Sequence, residues 1–331
     1  MIWFNIIWIA ISLILILISC ELFTNGIEWL GKNLKLGDGA VGSIFSAVGT
    51  CIPETMVPII TILFLKENKE SIDMGIAAIL GAPFMLSTLA FFVTGISVFI
   101  FWFKRKTGMR MSVNNSIISR DISCFIIAYT LGILASFVKW YVVRRGIAIF
   151  LIILYIYYIM ITLKEDRITM DRLNKLYMEK ILNIKNNIYT ILLQVVIAVL
   201  GIILGAHMFV SSIEDTSKTL GISIFVFSLI VTPIVTELPE KFNSIIWISK
   251  KKDTLAIGNI TGAMVFQSCI PVSLGILATP WKLNHNIVTC AVMAVLSSAI
   301  IYFWIEHKKK LSPVPLVLGG VFYTIFIISL F

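Results

Sequence analysis

Charged side chains are scarce in this chain. They make up 14% of its 331 residues, where a soluble domain carries about a quarter. With 58% hydrophobic residues, that scarcity excludes a soluble globular protein and predicts a polytopic membrane protein. Histidine is scarcer still, with three residues, and there is no His-rich metal motif. A phosphate-cradling glycine loop and a hydrolase nucleophile elbow are missing too. Nothing therefore supports covalent chemistry, and neither enzymatic activity nor a cofactor is expected. The five cysteines, Cys20, Cys51, Cys124, Cys269 and Cys290, are scattered through apolar stretches. Such cysteines behave as small hydrophobes, which argues against a disulfide framework or a metal cluster.

The opening run MIWFNIIWIAISLILILISC lacks a basic start and a small-residue cleavage site, and its apolar pattern continues to about residue 30. It is expected to be the first spanning helix. A span needs about 20 largely apolar residues, and windows of that kind give ten: 4–31, 38–65, 72–102, 121–139, 146–163, 187–213, 221–249, 254–279, 286–306 and 314–331. The net charge of +9 then reads as topology. With the N-terminus outside, 19 Lys and Arg fall in inner loops, Arg120 among them, and seven in outer ones. The positive-inside rule puts both termini outside and leaves no case for nucleic acid as a partner.

The mixed-charge segment 164–186 divides the chain into a first five-helix repeat, 1–163, and a second, 187–331. Five spans per half require the halves to be inverted relative to one another, a common transporter architecture. Self-comparison agrees. Cys20 to Phe23 aligns with Ala206 to Phe209, Glu28 with Glu214 and Glu54 with Glu240, all at an offset of 186. Leu36-Gly37 also matches Leu220-Gly221, and Gly81-Ala82 matches Gly262-Ala263.

At the centre of each repeat stands the same Thr-x-x-Pro-Glu, Thr50 to Glu54 and Thr236 to Glu240. A proline removes an amide and obstructs the preceding turn, so Pro53 and Pro239 are expected to break their helices at mid-membrane. Freed carbonyls there must line a protein interior or a wet cavity, and they suit hard cations such as sodium or calcium. Each Thr lies four residues before its Glu, on the same helical face. Inversion brings the two breaks together, giving paired carboxylates fit for a divalent ion or for two to three monovalent ones. Without ions, each carboxylate would cost at least about 2.5–3.5 kcal/mol at a helix centre. The bland alternative is a protonated pair serving helix packing. Gly81 and Gly262 suggest close backbone approach to the broken helices, for packing or for binding.

The runs GSIFSAVGTCIPE and LGISIFVFSLIVTPIVTELPE, the latter followed by DTLAIGNITGA, resemble the two signature repeats of the cation/calcium exchanger superfamily, and ELFTNGIE resembles the segment before the first. The resemblance implies an all-α membrane fold and a secondary-active cation antiporter, in a prokaryotic cell membrane. Such an antiporter exchanges calcium for sodium or protons by alternating access, with spans one and six sliding across the core. It places Thr50, Glu54, Thr236 and Glu240 at ligand positions, with the backbone of Ala47 and Pro233 nearby. The sequence also departs from that pattern. Cys51 and Glu237 replace the Ser after each Thr, Ala82 and Ala263 replace serines, and Leu86 and Gln267 replace acidic or amide ligands. Lys241 lies four beyond Glu237, a spacing that permits an ion pair. It either enters the site as a built-in cation or snorkels elsewhere. Glu21 stands where the family often has Asp, near the path from the outer surface. Its counterpart His207 is a titratable group or an interhelical hydrogen-bond partner. Two other functions stay open: a non-transporting sensor or accessory subunit, and transport of another divalent cation, to which Cys51 would add softness.

Overall fold

Within hydrocarbon only intrahelical bonding satisfies every amide and carbonyl of a single segment, and the long apolar runs fold accordingly. The computed structural model describes residues 2–33, 51, 55, 58–59, 61–62, 69–105, 109–165, 175–182, 187–221, 230, 244–245, 247–249, 251 and 253–330. Helix α1 runs Ile2–Asn33, and α2, Lys69–Met85, continues through a π turn, Leu86–Ala90, into α3, Phe91–Ile100. A short α4, Trp102–Arg105, precedes α5, Asn115–Leu134, and α6, Tyr141–Glu165. After the six-residue α7, Tyr177–Leu182, come α8, Ile188–Leu220, and α9, Asp253–Ala278. The last are α10, His285–Lys308, and α11, Pro313–Ser329.

Asparagines start three of these helices. Asn114, Asn187 and Asn284 accept first-turn amides with their side chains at the heads of α5, α8 and α10, meeting donors that the helix itself leaves unpaired. Pro313 opens α11, where its missing amide costs nothing. Gly221 ends α8 in the left-handed region at φ 66°, the usual place of a closing glycine. The π turn follows Pro83. There Ser87 and Thr88 return their hydroxyls to the Phe84 carbonyl at 3.0 and 2.5 Å.

Among the described residues seven helices are long and apolar enough to cross a membrane, and α11 is a shorter apolar helix. The protein is an integral membrane protein. Windows 38–65 and 221–249 lie largely outside the described residues. The window 121–139 is displaced: its helix is Asn115–Leu134, so Arg120 belongs to a span and not to a loop. The displacement has a physical cause. Asn114 fixes the helix start, and the charges of Arg120 and Asp121 are met by partners inside the bundle.

Two bodies emerge. Helices α1 and α8 lie along each other and share a small core of Leu13, Ile16, Ile202, Ala206, Phe209, Val210 and Ile213, which Met74 of α2 joins from outside. Apart from α7, which docks on the pair, the remaining helices build the larger core around α2–α3 and α9. Burial reaches 83% over 72–100 and 78% over 256–278, against 24% in α1 and 33% in α8.

Candidate ion-binding site

Of the expected ion ligands, Ala47, Thr50, Glu54, Pro233, Thr236, Glu237 and Glu240 lie outside the described residues, as does Lys241. Their described surroundings are informative. Cys51 is 1% exposed and belongs to the same core as Ala77, Leu80, Ala263 and Cys269. Tyr155 of α6 lies beside both Cys51 and Cys269. Cys51 thus sits in the core that α2, α6 and α9 share. Thr55 sends its amide (3.2 Å) and its hydroxyl (2.7 Å) to the Cys51 carbonyl. Both lone pairs of that carbonyl are engaged, which removes it from the candidate ligands.

On α9, Gln267 is 2% exposed. It is a neutral amide in the core of the bundle. Pro271, inside the same helix, has no amide to give to the carbonyl four residues back, that of Gln267. The neighbouring hydroxyls are spoken for. Ser268 donates to Val265 at 3.0 Å, and Ser273 to the carbonyls of Cys269 and Ala148 at 2.5 and 3.1 Å. On the α2 side Ser87 and Thr88 are likewise returned to their own helix. The close approach expected at Gly262 is not found among the described atoms. A Cβ there would meet only the Tyr158 hydroxyl, at 3.8 Å, and one at Gly258 would meet nothing within 4 Å. Span three does approach span two closely, at Gly75, where a Cβ would stand 2.7 Å from Ile62 Cγ1, and α1 and α8 also meet closely. At Gly205 a Cβ would stand 2.8 Å from Ile16 Cγ1 and 3.2 Å from the Ser12 carbonyl.

Glu21, His207 and Gln267 are not brought together. Glu21 is exposed on α1, and the Tyr177 hydroxyl of the linker-borne α7 donates to it. The α1 register explains this, because Glu21 lies only one turn before Asn25, which accepts the Tyr177 amide at 3.1 Å. His207 is exposed as well, and among the described residues it makes no interhelical hydrogen bond. Helical spacing turns it off the face of Ile202, Ala206, Phe209 and Ile213 that meets α1.

Three polar features escaped sequence reasoning. Arg105 and Asp253 form a bidentate ion pair with both contacts at 2.6 Å and both side chains 1% exposed. Arg105 also donates to the Ile248 carbonyl at 2.8 Å, and Asp253 accepts the Ser112 amide at 2.8 Å. This clasp fastens the segment after α3 to the first turn of α9. Asn25 and Gln194, 5% and 1% exposed, join α1 to α8 at 3.0 Å and accept the amides of Tyr177 and Met178 at 3.1 and 3.0 Å. Asp121 of α5, 2% exposed, accepts the Thr261 hydroxyl of α9 at 2.8 Å. The sequence signal for these was slight: charges at the edges of apolar windows, which read equally well as loop, and two amides within windows.

A family model described as sodium/calcium exchanger protein matches residues 4–164 and 190–331. The chain belongs to the sodium/calcium exchanger protein family. The match interrupts at the linker, where the sequence divides its halves. The sodium/calcium exchanger MaX1 of Methanosarcina acetivorans is 29% identical over 99 residues, which is 30% of this chain and only 28% of that relative. An uncharacterized membrane protein of Methanocaldococcus jannaschii is 20% identical over 312 residues, 91% of this chain and 90% of that one. Among solved structures, an H+/Ca2+ exchanger, CAX, superposes with a TM-score of 0.75 at 14% identity, covering 98% of this chain and 81% of its own. The sodium-calcium exchanger NCX_Mj superposes at 0.59 with 18% identity and 99% of both chains covered. At such identities the likeness is one of fold. It holds over nearly the whole chain, so this exchanger-family member departs from its relatives in residues and not in scaffold.

Proposed function

We propose that the protein is a secondary-active cation antiporter, exchanging calcium for sodium or protons by alternating access. The observation that carries this reading is the family match over both halves, each of which keeps its Thr-x-x-Pro-Glu. In this proposal Glu54 and Glu240 face each other as the charged ligands, Thr50 and Thr236 add hydroxyls, and the carbonyls of Ala47 and Pro233 and the amide of Gln267 complete the shell. Glu237 supplies a third carboxylate that Lys241 balances. The divalent ion is cargo: the paired charges offset its desolvation on one side and release it on the other. Exchangers named for sodium and calcium and for protons and calcium share the fold, which supports the choice of ions. The separate packing of α1 and α8 supports a sliding body.

Radioactive calcium uptake into proteoliposomes of the purified protein tests the proposal, with an imposed sodium gradient, a pH gradient, or neither. Uptake is expected under one of the two gradients and is expected to vanish in Glu54→Gln and in Glu240→Gln. Folded protein without gradient-dependent uptake would reject calcium exchange. A second function, a non-transporting sensor or accessory subunit, is favoured by one specific observation. Span three offers Ala82 and Leu86 in place of ligands, and its nearby hydroxyls are bound to their own helix.

A further inference from the structure

Two carboxylates are buried among the described residues, Asp121 and Asp253, and they are built differently. Asp253 faces an equally buried guanidinium in a bidentate pair at 2.6 Å. Neutralising it would leave the buried Arg105 guanidinium without its counter-charge. Asp121 has a looser counter-charge. Arg120 reaches it at 3.2 and 3.4 Å from a side chain 21% exposed. Its closest partner is a hydroxyl, Thr261 Oγ1 at 2.8 Å, and Tyr158 of α6 presents a second hydroxyl to it. A guanidinium only donates, whereas a hydroxyl both donates and accepts. The surroundings of Asp121 therefore satisfy it in either protonation state. When it is charged, Thr261 donates to it. When it is protonated, its O–H is accepted by a hydroxyl, and Thr261 turns to the Gly258 carbonyl of its own helix, 3.4 Å away.

The depth of this cluster is telling. Asp121 is about 10 Å along α5 from its start and Thr261 about 12 Å along α9, both from the linker side, in a hydrocarbon core about 30 Å thick. Gln267 lies about 9 Å deeper on α9. Arg120, partly exposed and over the Tyr158 ring at 5.4 Å, stands at the outer edge of the cluster.

We infer that Asp121 is a proton-binding carboxyl on the linker side of the core, a stage between that surface and the ion site, at which this chain takes up and releases a coupling proton. Its role as a coupling site rests on the antiport reading above. The proton is taken on as Asp121–Oδ–H and is lost again to water, with no other bond made or broken. Few other groups touch its titration. Cys124 lies one turn on along α5, beside Cys269 of α9. From α10, Glu306 is engaged by Ser119 at 2.5 Å and by Lys309 at 2.7 Å.

Two readouts on the full-length protein test this. The first is an infrared titration in lipid without calcium, comparing wild type with Asp121→Asn. The wild type is expected to show a protonated-carboxyl band that fades as pH rises, and part of that band is expected to be missing in the variant. Thr261→Val, which leaves the carboxyl in place, is expected to move the midpoint of that part without removing it. Identical titrations in all three proteins would show that Asp121 keeps one protonation state and would overturn the inference. The second readout is radioactive calcium uptake. In Asp121→Asn, pH-gradient-driven uptake is expected to fall about a hundredfold, the low end of what a positioned proton-transfer group contributes. Sodium-gradient-driven uptake is expected to persist wherever the wild type shows it, and Asp121→Glu to restore part of the loss. Equal loss under both gradients in folded protein would make Asp121 a positioning residue only. Absence of uptake in the wild type would reject the antiport reading, and the infrared titration would still decide whether Asp121 binds a proton.

Discussion

The α1/α8 pair and the larger bundle are both apolar helices in the same bilayer, yet they are fastened in different ways. Among the described residues, buried side-chain bonds tie the bundle across its helices. Tyr129 donates to Leu80 at 2.6 Å, Trp281 to Gly132 at 2.9 Å, Ser297 to Ser87 at 2.6 Å and Ser273 to Ala148 at 3.1 Å, while Thr261 meets Asp121 at 2.8 Å and Arg105 clasps Asp253 at 2.6 Å. Lipid gives helices no hydrophobic reason to associate, so packing and such bonds hold them. The pair has packing in plenty: small residues let α1 and α8 meet closely, as at Gly205. Its apolar contact with the bundle, among the described residues, runs through Met74. An aliphatic contact surface shifts by a turn at less cost than one tied by directional bonds. Under the antiport proposal, the contrast is that of a carriage and its frame.

The largest effect is expected where the frame is cut. Arg105→Ala leaves Asp253 buried without its guanidinium, a loss of about 3–5 kcal/mol. Thermal unfolding in detergent should show it, and Arg105→Lys should recover only part because an ammonium cannot reproduce the fork. A stability change of less than about 1 kcal/mol would mean that the clasp behaves as a surface pair and that the frame is held elsewhere. The carriage breaks differently. Gly205→Leu is expected to force α1 from α8 at a cost of about 1–3 kcal/mol, because Ile16 and the Ser12 backbone occupy the space. The bundle should survive. Protease protection of α9 and α10 should be unchanged while that of α1 falls, and uniform loss of protection would show that the two bodies unfold as one.

Much of the frame was legible beforehand, because helix length and hydropathy are properties of a single segment. Eight of the ten windows match described helices, most within a few residues. Span four was misplaced because a hydropathy window counts Arg120 and Asp121 as polar, and cannot know that Thr261, 140 residues away in sequence, receives the carboxylate. The clasp was invisible for the same reason, since Arg105 and Asp253 each sit at a window edge and read as solvated. Motifs carried the family, since Thr-x-x-Pro-Glu binds residues close in sequence. They did not carry the orientation of single side chains such as Glu21 and His207, which depends on helix register.

The smallest effect sharpens the comparison most. The linker segment bearing α7 continues from α6, a bundle helix, yet it docks on the pair: Tyr177 gives its amide to Asn25 and its hydroxyl to Glu21, and Met178 gives its amide to Gln194. Tyr177→Phe removes one bond to an exposed carboxylate and should cost at most about 1 kcal/mol. Gln194→Leu strands buried polar groups and should cost about 1–3 kcal/mol. If α7 travels with α1 and α8, then a Glu21→Cys/Tyr177→Cys protein joined by a short bifunctional thiol reagent should exchange ions at close to the rate of the untreated protein, because the reagent links two parts of one body. Arrest by that cross-link would place α7 with the frame and make the linker a brake on the pair.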